Sequence, residues 1–293
     1  MSLSHAVGRL LVTIGVNNTR HAHGLARKEV AVAGHRLVYL EGGEGDTVVF
    51  LHGLGSHKDQ WGSDLYGFTA GYRCLFLDLP GEGESDFHDR AGYDVERQLS
   101  RLLTFLLVIG IERCVLVGAS FGGYLAGMFA ARHPEMVRKL VLIDPAGVQA
   151  PVTSAALRYF LETGSMPFGY GNEREMLAYW SLVFHCPPRP VRPVRRYLAQ
   201  CGTRRIDKVR QITADIVGGG LFELQAELES ISAPVLVVWG QEDRIFDVST
   251  VDVMRKSLRH VDVVIIPESG HMPFLEAGEQ VAEVMRIFLA HPA

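Results

Sequence analysis

The sequence predicts an α/β protein: a mostly parallel eight-stranded sheet flanked by helices, with a helical cap inserted after the sixth strand. Three observations predict it. Five short runs, at residues 47–52, 73–78, 113–118, 139–144 and 234–240, are continuously apolar, the pattern of strands buried on both faces of a parallel sheet. Helical segments at 94–109 and 121–133 alternate with them, which is the rhythm of βαβ units. That rhythm stops between residues 146 and 233, a stretch too long for a structureless loop and therefore read as helical.

Taken in order, residues 1–25 form an N-terminal extension. Its apolar run, residues 7–16, is interrupted by Arg9 and too short to span a bilayer. As an amphipathic helix it would put Leu10, Leu11 and Ile14 on one side. That side either covers the domain, the favoured reading, or touches a membrane surface. Residues 28–33 and 35–41 alternate in polarity and are joined by Ala33-Gly34, which reads as an antiparallel hairpin. The parallel strands and their helices follow. Residues 261–267 supply the last strand and 278–290 the last helix, so 26–145 and 234–293 make up the core and 146–233 the cap.

The cap segment carries the aromatics Phe168, Tyr170, Trp180 and Phe184, then a proline-rich break at Cys186-Pro-Pro-Arg-Pro. They serve either as the cap's own small core or as the wall of an acyl pocket. After the break, Arg189, Arg192, Arg195, Arg196, Arg204, Arg205, Lys208 and Arg210 stand with Asp207 as the only acid among them. A solvated helix face explains them, and so does attraction to an anionic substrate or lipid headgroup.

Composition narrows the function classes. With 47% apolar and 21% charged residues the chain lies near the average for globular proteins, which excludes disorder and low complexity. A formal charge of -4 carries no basic excess and gives no reason to expect a nucleic-acid partner. The four cysteines, Cys74, Cys114, Cys186 and Cys201, form no Cys-x-x-Cys pair, and two sit in strand-like runs. Reduced thiols and a cytoplasmic, reducing compartment, with membrane association open, are expected. No histidines are spaced for zinc and no phosphate loop is present, so neither metal nor cofactor is expected.

One motif asks for chemistry. Gly118-Ala-Ser-Phe-Gly122 follows a buried strand and opens a helix, the setting in which a sharp turn pushes a serine out at the carboxyl edge of the sheet. A serine hydroxyl is a poor nucleophile without a base, and the base needs an orienter. Asp243 stands just past one strand and His271 just past the last, so both are expected at the edge that bears Ser120. In that arrangement His271 takes and returns the Ser120 proton and Asp243 holds the imidazole tautomer. The glycine-rich turn Leu51-His-Gly-Leu-Gly-Ser ends another strand, and the N–H groups of Leu54 and Phe121 are expected to form an oxyanion hole. His52 reads as a residue that orients this turn. Asp78 and Asp144 also end strands and rival Asp243, while Asp247 adds a carboxylate either near the site or on a loop.

These motifs, together with Leu77-Asp-Leu-Pro-Gly-Glu-Gly-Glu-Ser-Asp86, Gly240-Gln-Glu-Asp243 and Gly270-His271, resemble those of the α/β-hydrolase superfamily. The resemblance runs from about residue 30 to the C-terminus, apart from the insertion. Leu142-Ile-Asp-Pro-Ala-Gly-Val-Gln leading into a helical cap, and Gly-His-Met-Pro after the last strand, are similar to the capped lipase/esterase group that includes monoacylglycerol lipases. The resemblance implies an α/β-hydrolase fold and a serine hydrolase of hydrophobic esters working through an acyl-enzyme, with a small-molecule ester or lipid as partner. Phe168, Tyr170, Trp180, Phe184 and Met272 are then expected to bind substrate. Two alternatives stand beside it: a carbon–carbon bond hydrolase of aromatic ring-cleavage products, against which Met272 stands where those enzymes carry tryptophan, and a hydrolase-like ligand receptor.

Overall fold

The computed structural model describes residues 3–164 and 168–291. Eight strands, β1 (Ala26–Val32), β2 (His35–Gly42), β3 (Thr47–Leu51), β4 (Arg73–Leu77), β5 (Cys114–Ala119), β6 (Val137–Ile143), β7 (Val235–Gly240) and β8 (Val261–Ile266), form one sheet in the order β1-β2-β4-β3-β5-β6-β7-β8. Only β2 runs against its neighbours, β1 and β4; all other pairs are parallel. The β1–β2 hairpin turns on Ala33 and Gly34, at φ 45° and 80°, the left-handed pair such a tight turn requires.

The helices are α1 (Leu3–Ala22), α2 (Gly62–Tyr66), α3 (Val95–Val108), α4 (Phe121–Arg132), α5 (Ala155–Thr163), α6 (Glu173–Val183), α7 (Arg192–Gly219), α8 (Glu223–Glu227), α9 (Thr250–Ser257), α10 (Pro273–Glu276) and α11 (Gly278–Ala290). The continuous apolar runs are explained by the two faces of the sheet. In β3, Val49 and Leu51 pack with Leu125 and Phe129 of α4, whereas Val48 and Phe50 pack with Val281 and Met285 of α11 on the other side. Each such side chain, when fully buried, contributes roughly 1.5–3 kcal/mol, so a polar residue anywhere along these strands would destabilise the core. Asp94 starts α3 by accepting the Arg97 N–H at 3.0 Å, an N-cap that fixes where the helix begins.

Helices α5 to α8 fill the interval between β6 and β7. The α8 end of this segment seats on the core through bare backbone: a Cβ on Gly127 would meet Leu224 at 2.7 Å. From Arg192 onward the basic stretch belongs to the 28-residue α7, which turns Ala199, Gly202, Val209, Ile212 and Ile216 inward.

The N-terminal helix packs on α7, as the favoured reading has it, but not by the expected face. It is longer than the apolar run, and Leu10, Leu11 and Ile14 are 58%, 45% and 47% exposed instead of covering the domain. Its packing face is set elsewhere. Gly8 lies so close to α7 that a Cβ would stand 2.1 Å from the Pro193 carbonyl oxygen, and the His5 ring meets Tyr197 at 5.3 Å. With that contact fixed, a helical period leaves the apolar residues facing solvent.

Candidate active site

The β5–α4 turn is built from glycine because nothing larger fits. A Cβ on Gly118 would meet the Gly122 carbonyl oxygen at 2.3 Å, and one on Gly122 would meet that of Leu51 at 1.9 Å. Between them Ser120 adopts φ 53°, a left-handed conformation that costs a non-glycine residue about 1–2 kcal/mol. Hydrogen bonds hold it there: Ser120 N–H donates to Ile143 at 3.0 Å, and the Ser120 carbonyl accepts from Tyr124 and Ala146, each at 3.0 Å. Gly53 stands opposite, its missing Cβ leaving room for the Ser120 side chain, which would otherwise be met at 3.1 Å.

Asp243 and His271 leave neighbouring strands, β7 and β8, and meet beyond the carboxyl edge. His271 Nδ1 donates to Asp243 Oδ2 at 2.7 Å; both side chains are buried. The other Asp243 oxygen accepts the N–H groups of Ile245 and Phe246 at 2.7 and 3.1 Å, which orients that edge of the carboxylate. With the proton on Nδ1, Nε2 carries the free lone pair. The loop bearing the histidine is clamped by the end of α6: His271 N–H donates to the Val183 carbonyl at 2.7 Å.

Ser120 and His271 line one predominantly apolar cavity, together with Gly53, Leu54 and Phe121. No Ser120–His271 hydrogen bond is formed among the described residues, as is common before substrate tightens such contacts. Neither the Leu54 nor the Phe121 N–H donates to a protein acceptor among the described residues, which leaves two donors beside the serine. The turn carrying Leu54 is fixed from below. His52 is fully buried, its Nε2 accepting the Leu79 N–H at 3.0 Å and its Nδ1 facing the Gly53 carbonyl at 2.8 Å; burial lowers its pKa to about 4, so it stays neutral and structural. Glu82 Oε1 accepts the Gly55 N–H at 2.7 Å, and burial pushes this carboxyl up to about 7.

Of the rival acids, Asp78 is taken by Lys58, whose Nζ reaches it at 2.8 Å in full burial. Asp144 is fully buried and does not bond the imidazole; its Oδ1 accepts the Gly240 N–H at 2.9 Å. Asp144, Asp243 and His271 each present one atom within 4.8 Å of the others. They are the one trio among the described residues close enough to surround a cation, but the imidazole and the Asp243 oxygen in it are already committed to each other. Asp247 lines the cavity, its carbonyl accepting the Thr250 hydroxyl at 2.7 Å.

The aromatic expectations divide. Phe168 and Met272 line the cavity, whereas Tyr170, Trp180 and Phe184 do not. Tyr170 lies flat on α7, where only Gly202 leaves space for its ring. Phe184 packs from outside the cavity against Val183 and the cavity-lining Ala156 and Ile245, with Trp180 beside it at 6.4 Å between ring centroids. In their place the cavity uses Tyr179, Ile216, Val217 and Phe246. The spacing of Met176, Tyr179 and Val183 at i, i+3 and i+7 was the available signal, because it puts Tyr179 on the buried face of α6 and its neighbour Trp180 off it.

Comparison with known proteins identifies the fold. A family model described as alpha/beta hydrolase fold matches residues 46–278. Monoacylglycerol lipase abhd6-A of Xenopus laevis is 29% identical over 287 residues, covering 92% of this chain and 84% of its own length. Lipase 1 of Psychrobacter immobilis is also 29% identical, covering 92% and 86%. Among solved structures, a membrane phospholipase A described as a bacterial virulence factor superposes with a TM-score of 0.92 at 35% identity, covering 97% of this chain and 91% of that one.

Proposed function

The chain belongs to the alpha/beta hydrolase fold family, and we propose that within it this protein is a lipase or esterase that cleaves carboxylic esters with hydrophobic acyl chains through an acyl-enzyme. The observation that carries the reading is the convergence of Ser120, the Asp243–His271 pair and two unpaired N–H groups on one apolar cavity. Relatives named monoacylglycerol lipase and lipase support the same class of substrate.

In the proposed reaction Ser120 Oγ adds to the ester carbonyl while His271 Nε2 takes its proton. The N–H groups of Leu54 and Phe121 receive the oxyanion, and Asp243 stabilises the imidazolium. Collapse expels the alcohol, protonated by His271; water then attacks the acyl-enzyme with the same histidine as base. Phe168, Tyr179, Phe246 and Met272 exclude water from the acyl chain, which lowers the effective dielectric around the developing charge. Residues 146–233 act as the cap over the core of 26–145 and 234–293. No helix among the described residues is long and apolar enough to cross a membrane; the exposed Leu10, Leu11 and Ile14, with Arg9 beside them, suit a peripheral contact with a lipid surface.

Steady-state hydrolysis of p-nitrophenyl esters from acetate to palmitate, with monoacylglycerols alongside, tests the reading. Turnover peaks at medium or long chains and vanishes in Ser120→Ala. A peak at acetate, or no turnover across the series by folded protein, overturns the chain preference or the ester class respectively.

A further inference from the structure

Asp144 has no task in the reaction just described, yet it is held in unusual terms. It follows β6 with φ 43°, a conformation that a non-glycine residue keeps only where its surroundings enforce it. It is fully buried, and one oxygen ties down the Gly240 N–H at 2.9 Å. The other oxygen, Oδ2, has no hydrogen-bond partner as long as the group is written as a carboxylate. The titratable groups that face it are Asp243 after β7, His271 after β8 and Glu276 of α10; no lysine or arginine among the described residues forms an ion pair with it. Glu276 is itself occupied, accepting the N–H groups of Gly270 and Cys186 at 2.7 and 2.8 Å.

Two carboxylates buried side by side cannot both ionise without a large penalty, and a carboxylate cannot hydrogen-bond another acceptor. Asp243 is the one with a histidine donor and two backbone donors. Burial first, and the neighbouring Asp243 charge second, therefore push the Asp144 carboxyl well above the ordinary carboxylate range. A proton on Oδ2 removes the anomaly in one step: the orphaned acceptor becomes a donor beside Asp243.

We propose that Asp144 is a positioning residue for the Asp243–His271 pair: as a neutral carboxylic acid it donates from Oδ2 to the Asp243 carboxylate while its Oδ1 holds the end of β7 through Gly240. It acts through Asp243 and touches no reacting atom. Its effect is to fix the Asp243 carboxylate against rotation and to draw off part of its charge, which sets the basicity of His271 from a distance. The proposal rests on the reading of Ser120, Asp243 and His271 as a triad.

Two variants at this position separate the possibilities. Asp144→Asn is an isostere of the neutral acid, its amide able to donate to Asp243 while its oxygen accepts from Gly240. It therefore keeps kcat within about twofold of wild type, with the acid limb of the kcat/KM pH profile unmoved. Asp144→Ala removes the donor; kcat falls about tenfold with KM unchanged, and the limb moves to higher pH because the undiluted Asp243 charge stabilises the imidazolium. Unfolding gives a second readout that needs no activity. A carboxyl raised in the fold keeps a proton that the unfolded chain releases above its ordinary pKa of about 3.9, so wild-type stability falls as pH rises from there toward the folded value. The advantage in unfolding midpoint of Asp144→Asn over wild type consequently widens between pH 5 and pH 8.

An ionised Asp144 gives the opposite pattern, and either half of it overturns the proposal: the Asn variant shifts the limb downward by about one unit through loss of a nearby negative charge, and the midpoint difference stays flat. Wild-type kcat and an unmoved limb in Asp144→Ala also overturn it. Should the Ala variant not fold, the Asn profile and its midpoints still decide. A collapse of the triad reading looks different, because Asp243→Asn would then retain turnover whatever the Asp144 variants do.

Discussion

Replacing His271 with alanine lowers kcat by about four to six orders of magnitude while the protein keeps its fold. The size follows from the roles. Without an imidazole on Asp243, nothing near the cavity can take the Ser120 proton: His52 is sealed behind the oxyanion turn with its ring nitrogens engaged, and Asp247 lines the cavity as an acceptor of the Ser249 N–H at 3.0 Å. Backbone geometry survives because His271 is held by its own N–H to Val183, which the substitution leaves in place. Circular dichroism and an unfolding curve alongside the rate measurement check this. A loss of tenfold or less would mean that the proton goes elsewhere.

Asp243→Asn is the second large effect, about 10⁴-fold in kcat by the logic of a misassigned tautomer. The Asn side chain can present its NH₂ to Nδ1, which forces the imidazole proton onto Nε2, where the lone pair is needed. The two backbone donors on Oδ1, Ile245 and Phe246, fix the amide oxygen toward themselves and so favour that wrong orientation. The loss appears in kcat with KM nearly unchanged. Asp144→Asn is the internal contrast: it alters the neighbouring carboxyl, which has no bond to the imidazole, and leaves most of the rate.

The core of this site was legible because its residues are forced by local constraints. Gly118 and Gly122 announce a turn that no side chain permits, and a strand fixes where its last residue emerges; Ser120, Asp243 and His271 each follow a strand, the first two after runs read as buried on both faces. His52 was readable for the same reason. What was missed depends on which way a helix faces in three dimensions. Tyr179 and Trp180 are adjacent, yet one lines the cavity and the other packs beside Phe184, and the choice is made by how α6 docks. The same holds for α1, where Gly8 selects the packing face and turns the apolar Leu10, Leu11 and Ile14 outward. Asp144 was visible as a strand-end acid, but its neutral state arises from its full burial together with the approach of Asp243, a residue far away in sequence.

The proposed reaction stands on Ser120 as the nucleophile and His271 as the base that activates it. The most direct test is to treat the protein with a fluorophosphonate probe and locate the adduct by peptide mass spectrometry in wild type, Ser120→Ala and His271→Ala. The expected result is one adduct per chain on the peptide containing Ser120, none in the Ser120 variant and greatly slowed labelling in the His271 variant. An adduct on any other residue, or undiminished labelling of Ser120→Ala, would contradict it.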